Sequence, residues 1–148
     1  MPTFVADEFS LLVIDDDPLA IDIVKTVVSP LGLKILTATD AETGLALIKR
    51  KRPHILLVDI RLPDSDGMQL IRAALDVHPD TFAMLMTAHY STETAVSVIQ
   101  SGACDYFEKP ISPERLIDRV RVILGSSRSA KLPSASRRRC SRHRSSTA

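Results

Sequence analysis

Asp15-Asp16-Asp17, Asp59, Thr87 and Lys109 are the residues of this chain whose types could do chemistry together. Each follows a short apolar run, at residues 11–14, 55–58, 82–86 and 106–107 in turn. Singly, each has a plain structural role. An acidic run before a helix caps it, and an Asp after a strand opens a turn. A Thr there caps the next helix, and a Lys before a Pro is a solvated turn residue. Those roles leave unexplained why four such positions close four apolar runs. If the runs are parallel strands, the residues meet at one edge. Three carboxylates within about 4 Å would repel by roughly 4 kcal/mol per pair at an effective dielectric of 20. Such a group demands a cation. All-oxygen ligands with water left over suit Mg²⁺, which is commonly held by one or two carboxylates and shared with a phosphate. A metal and the Lys109 ammonium would together offset negative charge on an anionic ligand such as a phosphate.

The elements that must position these groups follow from hydrophobic period. Residues 55–58, entered after Pro53 and left at Asp59, are apolar on both faces, as in a strand buried between two layers. Residues 11–14, 33–38, 82–86 and 106–107 are the other strand candidates. Asp17-Pro18 signals a helix start, and Leu19, Ile21, Ile23, Val24, Val27, Val28 and Leu31 recur at helical spacing until Gly32. Asp40 can cap a helix carrying Leu45, Leu47 and Ile48, whose basic end at residues 49–52 suits the helix dipole. Asp66 with Gln69 resembles a capping box ahead of Leu70, Ile71, Ala74 and Leu75. Ser91 and Thr92 precede a helix with Ala95, Val96, Val98 and Ile99, closed by Gly102. Ser112-Pro113 begins the last helix, with Leu116, Ile117, Val120 and Ile123 inward. Five strands alternating with five helices predict an α/β fold, a parallel sheet wrapped on both faces with right-handed crossovers. Ligands in such sheets bind at the carboxyl edge, where all four positions lie.

At 148 residues the chain suffices for one domain with a sizeable core. Its net charge of +1 hides a split. All 18 acidic residues lie between Asp7 and Asp118, and residues 1–125, with 12 basic residues, carry a net of −6. Residues 126–148 hold seven basic residues and no acid. Residues 1–8 therefore read as an extension, 9–125 as the domain and 126–148 as a basic Ser/Arg-rich tail. With Leu132 its only large aliphatic residue, the tail is expected to be disordered. Two cysteines, Cys104 and Cys140, form no disulfide framework and fit a reducing compartment. Cys104 reads as a small buried filler. The N-terminus lacks the basic start and apolar stretch of a signal peptide, and no apolar run approaches a membrane span. A cytoplasmic location is expected. His54, His78, His89 and His143 show no zinc spacing.

The set formed by Asp15, Asp16, Asp59, Thr87 and Lys109-Pro110 resembles the receiver domain of response regulators, across residues 9–124. The resemblance implies a flavodoxin-like, doubly wound five-stranded sheet of order 2-1-3-4-5. It makes Asp59 the phosphoacceptor and gives Mg²⁺ to Asp15, Asp16, Asp59 and the backbone carbonyl of Arg61. Thr87 and Lys109 would stabilise the phosphoryl group, and the Lys109–Pro110 peptide bond would be cis. Tyr106 falls at the switch aromatic, which turns inward once Thr87 is drawn toward the phosphate. The surface of the fourth helix, fifth strand and fifth helix would then change shape. Arg61 and His89, each two residues beyond a site residue, occupy positions that tune how fast the phosphate is lost.

On that resemblance the phosphoryl donor is a sensor histidine kinase or a histidine phosphotransfer protein. The output is contact with a protein target, with phosphorylation-dependent dimerisation as one form of it. The chain's own chemistry is limited to slow self-phosphorylation and self-dephosphorylation. Two rivals compete. Asp15 and Asp17 have the spacing of haloacid-dehalogenase-type phosphatases, whose nucleophile would be Asp15, but no late acidic pair follows Lys109 and no cap insertion is present. The chain could instead be the receiver part of a longer DNA-binding regulator. The tail offers nucleic acid only nonspecific, salt-dependent contacts, having neither stacking aromatics nor a helix-turn-helix pattern.

Overall fold

Strand β3 (Ile55–Asp59) is buried along its whole length, because both of its faces are covered by helices. Each fully buried Leu or Ile in it contributes about 1.5–3 kcal/mol relative to an exposed one. This computed structural model describes residues 9–88 and 91–130, with side chains as far as residue 125. Residues 1–8, His89, Tyr90 and residues 131–148, with Cys140 and His143, lie outside the described residues, as does most of the expected tail.

Around β3 the elements run β1 (Ser10–Ile14), α1 (Pro18–Val28), β2 (Lys34–Ala38), α2 (Ala41–Lys51), then β3 and α3 (Gly67–Val77). β4 (Phe82–Thr87), α4 (Thr92–Ser101), β5 (Asp105–Glu108) and α5 (Pro113–Ala130) complete the chain. All four strand pairings are parallel, in the order β2-β1-β3-β4-β5. Side chains alternate across the sheet, so two cores form. Leu11, Val13, Ile55, Leu57, Met84, Met86 and Phe107 face Val24 and Val28 of α1 and Leu116 and Val120 of α5. Leu12, Ile14, Leu56, Val58, Ala83 and Leu85 face Ile48 of α2, Leu70 and Ile71 of α3, and Val98 of α4.

Helix starts follow the capping residues. Asp17 accepts from Leu19 N–H, Asp40 from Thr43 N–H, Asp66 from Met68 N–H and Ser91 from Thr94 N–H. Each cap satisfies an amide that the helix leaves without an internal partner. Gly102 ends α4 with φ of 99°, a conformation other residues seldom adopt. α1 stops at Val28 and a 3₁₀ turn (Ser29–Leu31) follows, since Pro30 cannot continue an α-helix. α5 differs from the expected boundary at Gly125, as its backbone stays helical to Ala130. Among the described residues no helix is long and apolar enough to cross a membrane.

Candidate functional site

Parallel pairing brings the carboxyl ends of β1, β3, β4 and β5 to one edge. Register then decides which side chains share a face. Asp15 continues the alternation of Leu11 and Val13, Asp59 that of Ile55 and Leu57, and Lys109 that of Phe107. These three therefore fall on the α1/α5 side. Thr87 continues Ala83 and Leu85, and Tyr106 packs against the same core, so both belong to the α2/α3/α4 side. Leu85 is the register partner of Tyr106, which puts Thr87 two residues along on that face.

Contacts bear out the first grouping. Lys109 Nζ donates to Asp15 Oδ2 at 2.6 Å and to Asp59 Oδ2 at 3.0 Å. The second oxygen of each acid takes a backbone amide: Asp15 Oδ1 accepts from Asp17 N–H at 3.0 Å, and Asp59 Oδ1 from Arg61 N–H at 3.2 Å. Asp15 is 0% exposed and Asp59 8%, so neither charge could persist without such partners. The Lys109–Pro110 peptide bond is cis, and Lys109 N–H donates to the Thr87 carbonyl at 2.7 Å, tying the lysine to the end of β4. Thr87 is itself buried.

The acidic triplet divides by role. Asp15 is buried in the pocket, Asp16 stands exposed beside it, and Asp17 has turned to cap α1. Ligand oxygens of Asp15, Asp16 and Asp59 lie within 4.8 Å of one another, a donor set that could hold a hard divalent cation such as Mg²⁺.

Electrostatics favour that reading. The Asp59 carboxyl is pushed above its ordinary value first by burial. The Lys109 hydrogen bond pulls the other way, and the Asp15 charge adds to the rise. Burial alone would lower the Lys109 ammonium, but its hydrogen bonds to Asp15 and Asp59 prevail and hold it above the ordinary range. The acids thus outnumber their one lysine partner. Mg²⁺ at a hundred times its dissociation constant should stabilise the fold by about 2.7 kcal/mol, a rise of roughly 5–10 °C in Tm for a domain of this size. Asp16→Asn should raise the Tm of the metal-free protein and erase most of that increment. Melting curves in chelator and in Mg²⁺ measure both, and no change in either would count against a carboxylate pocket.

Two further residues were not expected at the site. Asp64, in the β3–α3 connection, accepts from Ala41 N–H at 2.8 Å and Glu42 N–H at 3.0 Å, at the start of α2. Gly67 lies directly against the backbone of Asp59 and Ile60. Only the sequence Pro63-Asp64-Ser65-Asp66-Gly67 marked a turn there.

A sequence profile of the response regulator receiver domain matches residues 11–121. The chain is 30% identical over 115 residues to the probable transcriptional regulatory protein TcrX of Mycobacterium tuberculosis, covering 78% of this chain and 49% of that protein. It is 35% identical over 109 residues to the nitrogen assimilation regulatory protein NtrX of Azorhizobium caulinodans, covering 72% and 24%. It thus spans about half the length of the first relative and a quarter of the second. Among solved structures, a CheY-like receiver domain protein from Methanospirillum hungatei superposes with a TM-score of 0.76 at 29% identity, covering 82% of this chain and 97% of that one. The receiver domain of a LuxO repressor protein from Vibrio parahaemolyticus gives 0.77 at 27%, covering 82% and 94%.

Proposed function

Because the chain belongs to the response regulator receiver family, we propose that Asp59 accepts a phosphoryl group and that the fold answers by changing a partner-binding surface. The observation that carries this is the Lys109 ammonium shared between Asp15 and Asp59 at the carboxyl edge, with Asp16 alongside. Asp15, Asp16, Asp59 and the carbonyl of Arg61 would hold Mg²⁺, which when bound supplies positive charge for the incoming phosphoryl oxygens. Asp59 then attacks phosphorus in line, forming the aspartyl phosphate as the bond to the donor breaks. Lys109 exchanges its contact with Asp59 Oδ2 for one with the new phosphoryl group. Thr87 supplies a hydroxyl to a phosphoryl oxygen.

The donor is read as a histidine kinase or phosphotransfer protein in the cytoplasm. A cleft of about 310 Å³ beside Lys109, bordered by Leu19 and Ile23 of α1, supports a protein donor. Both residues are well exposed, at 66% and 46%. The switch unit is read as residues 9–125 with a basic appendage. Its output is a protein contact through α4, β5 and α5, dimerisation included, or passes to a further domain, as the greater length of the relatives favours. The phosphatase alternative needs Asp15 as nucleophile, and a fully buried carboxylate ion-paired to Lys109 is poorly placed for that. Mapping the phosphoryl group after treatment with acetyl phosphate and Mg²⁺ tests the reading. Modification at Asp59 supports it; modification at Asp15, or none, overturns it.

Tyr106 is the proposed output lever. It lies on the same sheet face as Thr87 and packs against the core beneath α4. Tyr106→Ala should leave phosphoryl uptake within about threefold of wild type while removing the phosphorylation-dependent change at α4 and β5. Hydrogen exchange with and without acetyl phosphate reads that change, and its persistence in the variant would refute the lever.

A further inference from the structure

The β3–α3 connection is closed on itself and then fastened to a helix that the reaction does not otherwise require. Gly67 N–H donates to the Ile60 carbonyl at 2.6 Å, Leu62 N–H to the Ser65 carbonyl at 3.1 Å, and Arg61 pairs antiparallel with Asp66. The result is a small hairpin whose base is the end of β3 and whose tip is Pro63-Asp64. From that tip both oxygens of Asp64 reach the first turn of α2, Oδ1 to Ala41 N–H and Oδ2 to Glu42 N–H. α2 already has a cap of its own, since Asp40 takes Thr43 N–H at 2.7 Å. A second acceptor arriving from 22 and 23 residues away does more than satisfy amides. It fixes where the hairpin tip can be. The same hairpin carries Arg61, whose N–H holds Asp59 Oδ1.

We propose that Asp64 is a positioning residue for phosphoryl transfer: by clamping the hairpin tip to the start of α2, it holds Arg61, and through Arg61 the Asp59 carboxylate, in the receiving geometry. This rests on Asp59 being the phosphoacceptor. With base and tip both anchored the hairpin cannot swing, whereas without Asp64 only the base restrains it. The coupling is reciprocal by linkage, so a cation that orders the hairpin must also order the amides at the start of α2.

The test compares the full chain as wild type, Asp64→Ala, Asp64→Asn and Asp40→Ala, at a temperature where all are folded. Mg²⁺ affinity is measured by titration, phosphoryl uptake by its initial rate from acetyl phosphate, and Ala41 and Glu42 amides by hydrogen exchange. Asp64→Ala should lower affinity and rate by about three- to tenfold, below the 10–100-fold typical of groups bonded directly to a metal ligand. Asp64→Asn keeps one acceptor oxygen and should recover part of the loss. Asp40→Ala weakens the same turn without touching the hairpin and should leave both quantities within about twofold. In wild type, Mg²⁺ should slow exchange at Ala41 and Glu42, and Asp64→Ala should abolish that slowing. Equal losses from Asp40→Ala and Asp64→Ala, or exchange in wild type indifferent to Mg²⁺, would overturn the proposal. Failure of wild type to take the phosphoryl group on Asp59 would overturn the acceptor reading instead.

Discussion

Asp59→Asn should abolish phosphoryl uptake from acetyl phosphate and Mg²⁺ while making the metal-free protein more stable than wild type. The first half follows from chemistry, since an amide is no nucleophile toward phosphorus and is a poorer ligand for a hard cation. The second follows from the direction of the Asp59 titration. Its carboxyl lies above the ordinary 3.8, with burial the leading cause, the Lys109 hydrogen bond opposing and the Asp15 charge adding to the rise. The folded state therefore binds this proton more tightly than the unfolded chain does. Stability from such a group is complete below the unfolded value near 3.8 and is lost as pH rises through the higher folded value. At neutral pH the ionised carboxylate is a net cost to folding. An amide of the same shape removes that cost, and Lys109 keeps Asp15 at 2.6 Å. The Tm gain in chelator should be largest near neutral pH and shrink as the pH is lowered toward 4. In Mg²⁺ it should reverse, because wild type alone gains the full metal stabilisation. Mass spectrometry and melts across that pH range read both halves. Continued uptake by the variant, or a Tm difference flat with pH, would contradict the assignment.

Which parts of this molecule could be read in advance follows from how local the determining contacts are. Asp17, Asp40, Asp66 and Ser91 are visible as caps because capping is local, needing a side-chain oxygen and an amide two or three residues on. The meeting of Asp15, Asp59 and Lys109 is visible because parallel strands place every carboxyl end on one edge. What stayed hidden depends on approach between distant segments. Asp64 looks like any turn residue until the start of α2, more than twenty residues earlier, arrives beside it. Within the acidic triplet, Asp17 before Pro18 is legible as a cap, whereas the approach of Asp15 and Asp16 oxygens to within 4.8 Å of Asp59 is seen only once the strands are assembled. That Thr87 and Tyr106 share one face of the sheet depends on strand register, which no short motif encodes. The compositional boundary after residue 125 is likewise not where α5 ends. A glycine stops a helix when it adopts the left-handed conformation, as Gly32 and Gly102 do; Gly125 is not among the glycines with positive φ, and α5 runs through it.

Gly67→Ala should be the most damaging single-methyl change near the site. Gly67 opens α3 immediately above the end of β3, and its amide donates to the Ile60 carbonyl. A Cβ added there would collide with the Asp59 carbonyl oxygen, and would sit 2.9 Å from both the Asp59 carbonyl carbon and Ile60 Cα. All three are backbone atoms of the segment that aims Asp59, so no side-chain rotation relieves the clash. Overpacking of this kind should cost about 3 kcal/mol. Relief must come by displacing the end of β3, and misplacement by about 1 Å can slow a reaction some hundredfold. Gly44→Ala is the matched control. Its Cβ would approach Ile14 Cδ1 at 2.5 Å and Cγ1 at 3.2 Å, side-chain atoms that can yield by a shift of that one residue without moving the backbone of β3. Ala is also preferred to Gly within a helix by about 1 kcal/mol. Gly44→Ala should therefore change stability by no more than about 1 kcal/mol and leave phosphoryl uptake near wild type. Urea unfolding and initial uptake rates separate the two. If Gly67→Ala matched Gly44→Ala in both, the close approach of α3 to the Asp59 backbone would play no part in aiming the acceptor.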